Sequence, residues 1–501
     1  MEKNGGAGMV DVAHPIGTHG HSGHLGSRSV GVKLSEVVGS SLRLEASAYA
    51  LEAKRAVAEL SASSHQLIPL LGDGGLCQDA HNAFRFARIF VNSDHGVPFL
   101  SSSDIIGLRP ERGRYLSNKH TKKLEDLRIK PWSVLVSCSG TIGNISLASP
   151  RMAEWALSQD AIRITALDRD TAGYVAAFLR SFWGRAQLQG LTYGSVVQHI
   201  EPIHLTAVVI PSLPAIQKIA IGRAFVDAAM KRDAANDKLD EADALLRNYL
   251  GFPTLPKQGS GPVIGKIRAS HWDRRLDASY HCPQSQWVLQ HLDACKHQVL
   301  PLADKTLTRA INAVTKFRKR VYVENGGIPL LSSKQLFQVA PIGLKGLARG
   351  AHTKDMAEIA LKTNYVMATC SGTNGRVQII PKYMDGWAAS QDAIRVHGAT
   401  DVLAGFIYCW LSSDFGQILL RRQQYGSVIT HLDREMIGAV LVPILPEAGL
   451  NAIGKLVLEA NGLRDAAWRL EQSALASLSG QIKRTINERQ QSRNSIDQVC
   501  L

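Results

Sequence analysis

Ser139, Gly140 and Thr141 in the run CSGTIGN, and Ser371, Gly372 and Thr373 in CSGTNGR, place hydroxyls and glycine-flanked amides where a strand gives way to a turn. Such a turn can offer those groups to phosphate oxygens, or it can simply reverse the chain, with glycine at the backbone angles the reversal needs. Tyr193, Gly194 and Ser195 in YGSVVQHI, and Tyr425, Gly426 and Ser427 in YGSVITHL, add more hydroxyls just before an apolar strand. Gln198 and His199 follow in the first run, Thr430 and His431 in the second. Contact with a nucleic-acid backbone and a packed tyrosine beside a serine turn fit this pattern equally well. Gln159 with Asp160, and Gln391 with Asp392, precede an AIR run. No further acid and lysine stand at a spacing that would complete a nuclease site, so these pairs read as structural hydrogen-bonding groups.

Cations gather in two stretches. Arg85 and Arg88, then Arg109, Arg112, Arg114, Lys119, Lys122 and Lys123, form one; Arg309, Lys316, Arg318, Lys319 and Arg320, then Lys345, Arg349 and Lys354, form the other. An arginine fork can bind a guanine edge through two hydrogen bonds, and lysine neutralises phosphate. Any one of these residues suits a solvated loop, but a clustered set in both halves points to a nucleic acid. The surplus of 57 Lys and Arg over 43 Asp and Glu, a net charge of +14, suits a polyanionic partner whose counterions are released on binding.

Signatures of enzymes are missing: the sequence has no GxxxxGK(S/T) loop, no HExxH, no GxSxG and no (N/D)PP(Y/F) run. Cys77, Cys138, Cys282, Cys295, Cys370, Cys409 and Cys500 show neither a CxxC pair nor metal-ligand spacing and read as reduced core residues. His14, His19, His21 and His24 sit in a Gly- and Ser-rich stretch with little apolar content, which reads as a disordered tail over 1–30 rather than a metal site. No apolar run is long enough for a membrane span and no signal peptide opens the chain, so a cytoplasmic protein without a membrane partner is expected.

What must position these residues is an element set written twice. RLEAS at 43 and RLDAS at 275, the CSGT runs at 138 and 370, SQDAIRI at 158 and SQDAIRV at 390, the YGSV runs at 193 and 425, and IPSLP at 210 and VPILP at 442 all stand 232 residues apart. PFLSSSDI at 98 and PLLSSKQL at 329 depart by one residue. Chance does not hold a register over such a span, so one template runs through both halves. Within each copy, short β-rich runs (134–136, 161–164 and 207–210 in the first) mix with a helical stretch near 170–189, and a long helix follows. The first long helix ends near Leu250 and carries only Gly222 as a breaker; the second covers about 447–488.

The second long helix shows an apolar seam at Ile453, Leu456, Ala460, Leu463, Ala467, Leu470, Ala474 and Ser477, alternating by three and four residues. The matching positions of the first are Ile221, Ala224, Ala228, Lys231, Ala235, Lys238, Ala242 and Leu245, where the two lysines spoil a simple pairing and would snorkel or face another subunit. Paired antiparallel, such helices set two similar domains at opposite ends about a pseudo-twofold axis, the symmetry of a DNA duplex. A helix of this length spans about 50 Å at 1.5 Å per residue, enough to hold two reading surfaces a DNA turn or more apart. Residues 77–96 and 309–327 bear little likeness, so the two half-sites are expected to differ.

Taken together, the CSGTxG, SQDAIR and YGSVxxH(I/L) runs and the helix after each proline-bounded strand make residues 32–488 resemble the specificity subunit of a type I restriction-modification system. The resemblance implies a mixed α/β (α+β) fold in which two tandem target recognition domains are joined by an antiparallel pair of long helices. The expected boundaries are 31–213 and 263–445 for the recognition domains, 214–250 and 446–490 for the spacer helices, and 251–262 for the linker. It implies double-stranded DNA as ligand, read as a bipartite asymmetric target by a non-catalytic chain. Two methyltransferase subunits and the restriction (translocase and nuclease) subunits are the implied partners, with S-adenosylmethionine, ATP and magnesium held only by them. The DNA-facing candidates are Arg85, Arg88, Arg112, Arg114, Ser139, Thr141, Tyr193, Ser195 and His199, with Lys316, Arg318, Arg320, Ser371, Thr373, Tyr425, Ser427 and His431 in the second copy. Two rivals stay open at this point, a DNA-modifying enzyme with an unrecognised site and a scaffold that binds no DNA.

Overall fold

The computed structural model describes residues 51–110, 113–194, 197–256, 277–314, 319–372, 374–426 and 430–499, together with 32, 34, 37, 49 and 275. The 1–30 tail with its histidines, linker residues 257–262, Cys500, and the candidates Arg112, Ser195, Lys316, Arg318, Thr373 and Ser427 lie outside the described residues. The chain divides into two units. Unit 1 takes Met1–Asp233, Gln338–Gly343 and Ala466–Leu501, and unit 2 takes Ala234–Phe337 and Leu344–Asp465.

Unit 1 carries helix α1 (Leu51–Ala62), strands β1 (Leu67–Pro69), β2 (Cys77–His81), β3 (Phe90–Val91), β4 (Gly96–Leu100), β5 (Arg114–Ser117), β6 (Val134–Ser137), β7 (Ile145–Leu147), β8 (Ala156–Leu157) and β9 (Ala161–Ala166). Helices α2 (Arg169–Arg180) and α3 (Phe182–Gly190), strand β10 (Val209–Pro211) and the start of α4 (Ala215–Leu250) complete its continuous part. An antiparallel sheet has the order β2-β9-β6-β7, a mixed sheet with fewer residues has the order β3-β5-β4-β8 with β8 parallel to β4, and β1 pairs with β10. All four residues of β6, and Ala161 to Ile164 of β9, are buried, because α2 covers one face of the larger sheet and the smaller sheet's core meets the other.

Unit 2 repeats this strand for strand. After α5 (Pro283–Asp293) come β11 (Gln298–Pro301), β12 (Thr308–Asn312), β13 (Tyr322–Val323), β14 (Ile328–Leu331), β15 (Lys345–Leu347), β16 (Val366–Thr369), β17 (Val377–Ile379), β18 (Ala388–Ala389) and β19 (Ala393–Gly398). Helices α6 (Asp401–Ser412) and α7 (Asp414–Gln423), strand β20 (Leu441–Ile444) and the long α8 (Glu447–Val499) follow. The sheets have the orders β12-β19-β16-β17 and β13-β15-β14-β18, with β11 on β20. Segments 77–96 and 309–327, unlike in letters, therefore build the same strands.

Local chemistry explains several boundaries. The helical stretch expected over 170–189 is two helices, because Ser181 leaves the helical region and its side chain accepts from the Gly184 amide to start α3; Ser413 does the same for α7 through Gly416. The strand expected at 207–210 starts later, since Ala207 closes a short 3-10 turn over Pro202–Ala207 and pairing begins at Val209. Helix α8 runs past the expected end at 488 to Val499. Among the described residues no single helix is long and apolar enough to cross a membrane; the bent pair α6 and α7, apolar in sum, forms core in unit 2.

Each unit seats its domain on a long helix through two glycines. A Cβ on Gly173 of α2 would collide with the Gly222 carbonyl of α4, and one on Gly222 with the Asp170 carbonyl. Gly405 of α6 and Gly454 of α8 meet in the same way, at the same offset. Gly222, the apparent breaker, is thus required for close approach. The flanking loops dock differently. Asp233 accepts from Ser149 Oγ (2.6 Å) and the Arg151 amide (3.0 Å) in unit 1, whereas Asn461 donates to Asn364 Oδ1 (3.1 Å) and the Ile380 carbonyl (2.9 Å) in unit 2.

The seam of the long helices corrects the sequence expectation. The positions 453, 460, 467 and 474 are buried as expected, but Leu456, Leu463, Leu470 and Ser477 give way to Val457, Arg464, Glu471 and Leu478, each one residue later. Helix α4 shifts in the same sense at three positions: Phe225, Leu239 and Leu246 are buried in place of Ala224, Lys238 and Leu245, while Lys231 and Arg232 are both half-buried. Lys238 is therefore off the seam and reaches Glu241 and Glu459 at the surface. Apolar counting passed over Arg464 and Glu471 as charges, although partnered charges can be buried. In unit 1 both oxygens of Glu471 accept from Arg232 (2.6 and 2.7 Å), and Oε1 also meets Arg180 at 2.7 Å. Burial pushes the carboxyl upward, but the two guanidinium groups outweigh it and hold Glu471 down at about 2.

Candidate nucleic-acid interface

In each unit the hairpin of the YGSV run lies beside the CSGT turn. Tyr193 and His199 exchange backbone hydrogen bonds (2.9 and 2.8 Å), Ser139 also bridges to His199, and the Gly140 amide donates to Gln198. Gly194, at φ 98°, makes the hairpin possible, and a side chain there would also strike the Val197 carbonyl. Tyr425, His431, Ser371 and Gly426 (φ 98°) reproduce the arrangement in unit 2, where Asn374 donates to Thr430 Oγ1 at 3.0 Å. The structure thus gathers Ser139, Tyr193 and His199 into one ridge, with Ser371, Tyr425 and His431 in another. Thr141 belongs to the same turn, its carbonyl accepting from Ser137 Oγ. The Tyr193 hydroxyl donates to Glu201, which raises its pKa; at the matching place Asp433 instead accepts from the Met436 amide.

Behind the turn, Cys138 and Cys370 hang from the SQD runs: their amides donate to the carbonyls of Asp160 (3.0 Å) and Asp392 (2.9 Å). Burial pushes both thiols up to about 11, so they stay protonated at neutral pH and are poor nucleophiles. The arginine of each SQDAIR run is structural. Arg163 donates to the carbonyls of Leu127 (2.9 Å) and Leu157 (2.8 Å), and Arg395 to those of Ala393, Ile359 and Ala389. Each ties the small sheet's β8 or β18 to the large sheet, and the desolvation this demands lowers both arginines to about 10.

Arg88 donates to Gln159 Oε1 (3.3 Å) and Asp160 Oδ2 (3.1 Å), and Arg320 donates to Gln391 Oε1 (2.8 Å). These two candidates occupy equivalent positions and are anchored on the SQD runs, which links the ridge to the small sheet. Beyond them lies a face where cations cover aromatic rings. Arg88 lies 5.5 Å from the Phe99 ring, Arg114 lies 5.2 Å from Phe90 and 5.7 Å from Phe99, and Lys123 lies 5.8 Å from Phe84. In unit 2, Lys345 sits 5.1 Å from the Tyr322 ring. Arg85 is exposed on the loop before β3. The aromatic members were missed in the sequence, although R-x-(F/Y)-V at 88–91 and 320–323 keeps the 232 offset.

Several solved structures resemble this chain, among them the following three. The S subunit of a type I restriction-modification system from M. genitalium is 15% identical, with 84% of this chain and 98% of that chain covered and a TM-score of 0.30. The HsdS subunit from Thermoanaerobacter tengcongensis is 11% identical, over 85% of this chain and 96% of that one, at a TM-score of 0.25. A chain from a type I restriction-modification system studied for complex assembly and conformational transition is 11% identical, over 81% and 97%, at 0.26. No family model and no curated protein matches the sequence. Among the described residues, no group of three or more His, Cys, Asp or Glu side chains is placed to hold a metal ion.

Proposed function

We propose that this chain is the DNA-specificity subunit of a type I restriction-modification complex. Each unit grips one part of a split, asymmetric double-stranded target in the cytoplasm, and the long helices set the separation and recruit two methyltransferase subunits. Restriction subunits join the larger assembly. The reading assigns S-adenosylmethionine, ATP and magnesium to those partners, and no catalysis to this chain. The observation that carries it is the repetition of one whole surface: ridge, anchored arginine and aromatic recur 232 residues apart, and the cation covering the aromatic 231 apart. A duplicated backbone-contacting surface with divergent tips is what a reader of two unlike half-sites needs. The net charge of +14 supplies the long-range attraction to a polyanion.

Co-expression with a cognate methyltransferase, followed by genome-wide mapping of methylated adenines, tests this. A two-part motif with an unread gap is the expected result; a continuous palindrome, or methylation or cleavage by this chain alone, overturns it. Binding of the purified chain to random duplex should also fall steeply with salt. Salt-independent binding, or none, would leave a protein scaffold as the better account.

A further inference from the structure

The small sheets place a cation over an aromatic ring at matching positions. In unit 1 the ring is Phe90, first residue of edge strand β3, and the cation is Arg114, first residue of the neighbouring β5. In unit 2 the ring is Tyr322, first residue of β13, and the cation is Lys345, first residue of β15. Both rings remain well exposed, Phe90 at 43% and Tyr322 at 40%, and their neighbours Ile89 and Val321 are exposed as well. An exposed apolar patch topped by cations invites a ligand that is both anionic and able to cover apolar surface.

Duplex DNA has both properties, since base edges and thymine methyl groups line a groove bounded by phosphates. The ring beneath each cation restricts where its head can sit, so the donor is held ready before binding. Arg114 is further held by Asp104, 3.8 Å away. The two units then differ where reading demands it. The ridge residues Ser139, Tyr193 and His199 are identical to Ser371, Tyr425 and His431, which suits contact with a uniform backbone. The pairs on the small sheets are not identical: unit 1 has a guanidinium fork over phenylalanine, and unit 2 an ammonium over a phenol. Both donors suit a guanine edge, the planar fork through two fixed hydrogen bonds and the ammonium as a point charge.

Resting on the DNA-specificity reading above, we infer that Phe90 with Arg114, and Tyr322 with Lys345, are the base-reading elements of the two units, each cation directed at a guanine edge in the groove. The ridge carries the backbone contact that both units share.

The test uses the full chain in complex with its methyltransferase subunits and a pool of duplexes randomised over the target length, with bound sequences recovered and counted. Wild type should enrich a two-part sequence with guanine in each part. Arg114→Ala should lose about tenfold or more of the preference for guanine at one position of one part and leave the other part untouched. Lys345→Ala should do the same to the other part. Phe90→Ala should follow Arg114→Ala, while Phe90→Tyr, which keeps a ring beneath the cation, should retain the preference. The untouched half-site reports, in the same molecules, that each variant is folded. Equal weakening of both parts, unchanged enrichment, or loss of methyltransferase association would each overturn the inference while the specificity reading stands. A wild-type complex that enriches no two-part sequence removes that reading, and this inference with it.

Discussion

Replacing Glu471 by glutamine tests the buried charge cluster of unit 1 directly. Glu471 is held at about 2 against an ordinary glutamate value of 4.5. That difference corresponds to on the order of 3 kcal/mol of stability at neutral pH, similar to the roughly 3–5 kcal/mol cost of leaving a buried partner uncompensated. The sign follows from a depressed folded-state value. The contribution is fully present above about 4.5 and is lost as pH falls through that value toward 2. Glu471→Gln should therefore lower the opening free energy of unit 1 by about 3 kcal/mol at pH 7, and its gap from wild type should close on acidification. Hydrogen exchange of amides in α2 and the start of α4 is the suitable assay, because a chain of two units need not unfold in one step. A gap below about 1 kcal/mol at neutral pH, or one unchanged at about pH 3, would refute the reasoning. The triple replacement Arg180→Met, Arg232→Met and Glu471→Leu should recover most of the loss, since apolar side chains of similar volume replace buried ion clusters well.

Four further outcomes are expected. Gly222→Ala and Gly454→Ala should each destabilise their own unit by about 2 kcal/mol or more in thermal denaturation, because the added methyl meets backbone that cannot rotate away. Alanine at Gly462, where nothing lies within 4 Å of the new methyl, should be neutral or mildly stabilising by the same measurement. Cys138 and Cys370, with thiols pushed up to about 11, should alkylate much more slowly than an ordinary thiol at pH 8, and rapid labelling of the native protein would contradict their burial. Arg163→Met should leave the carbonyls of Leu127 and Leu157 without their donor and cost about 2 kcal/mol, seen as faster exchange in and around β8.

Some of the site was legible in the chain before folding. The constant offset gave the pairing of Ser139 with Ser371 and of His199 with His431, and the hairpins bring those residues together as a set. Arg88 and Arg320 also stood among the candidates, but their anchoring on Gln159 and Gln391 was not visible, because the contacts join residues 71 apart in the chain. Phe90 and Tyr322 escaped notice because a two-residue edge strand is too short to show alternation, and an exposed aromatic is recognised only once its cover is known.

By itself the sequence determined the duplication, the mixed sheet-and-helix character of each copy and the existence of the long helices, because repetition and periodicity are properties of the letters. Tertiary structure alone decided which helix positions are buried. Hydrophobicity assigned the seam to leucines and small residues, but a buried position needs only a satisfied side chain. Glu471 is satisfied by Arg180 and Arg232, which lie 291 and 239 residues away in the sequence. No local pattern encodes such a pairing: the cost of burying a charge is offset only by partners that folding brings to it.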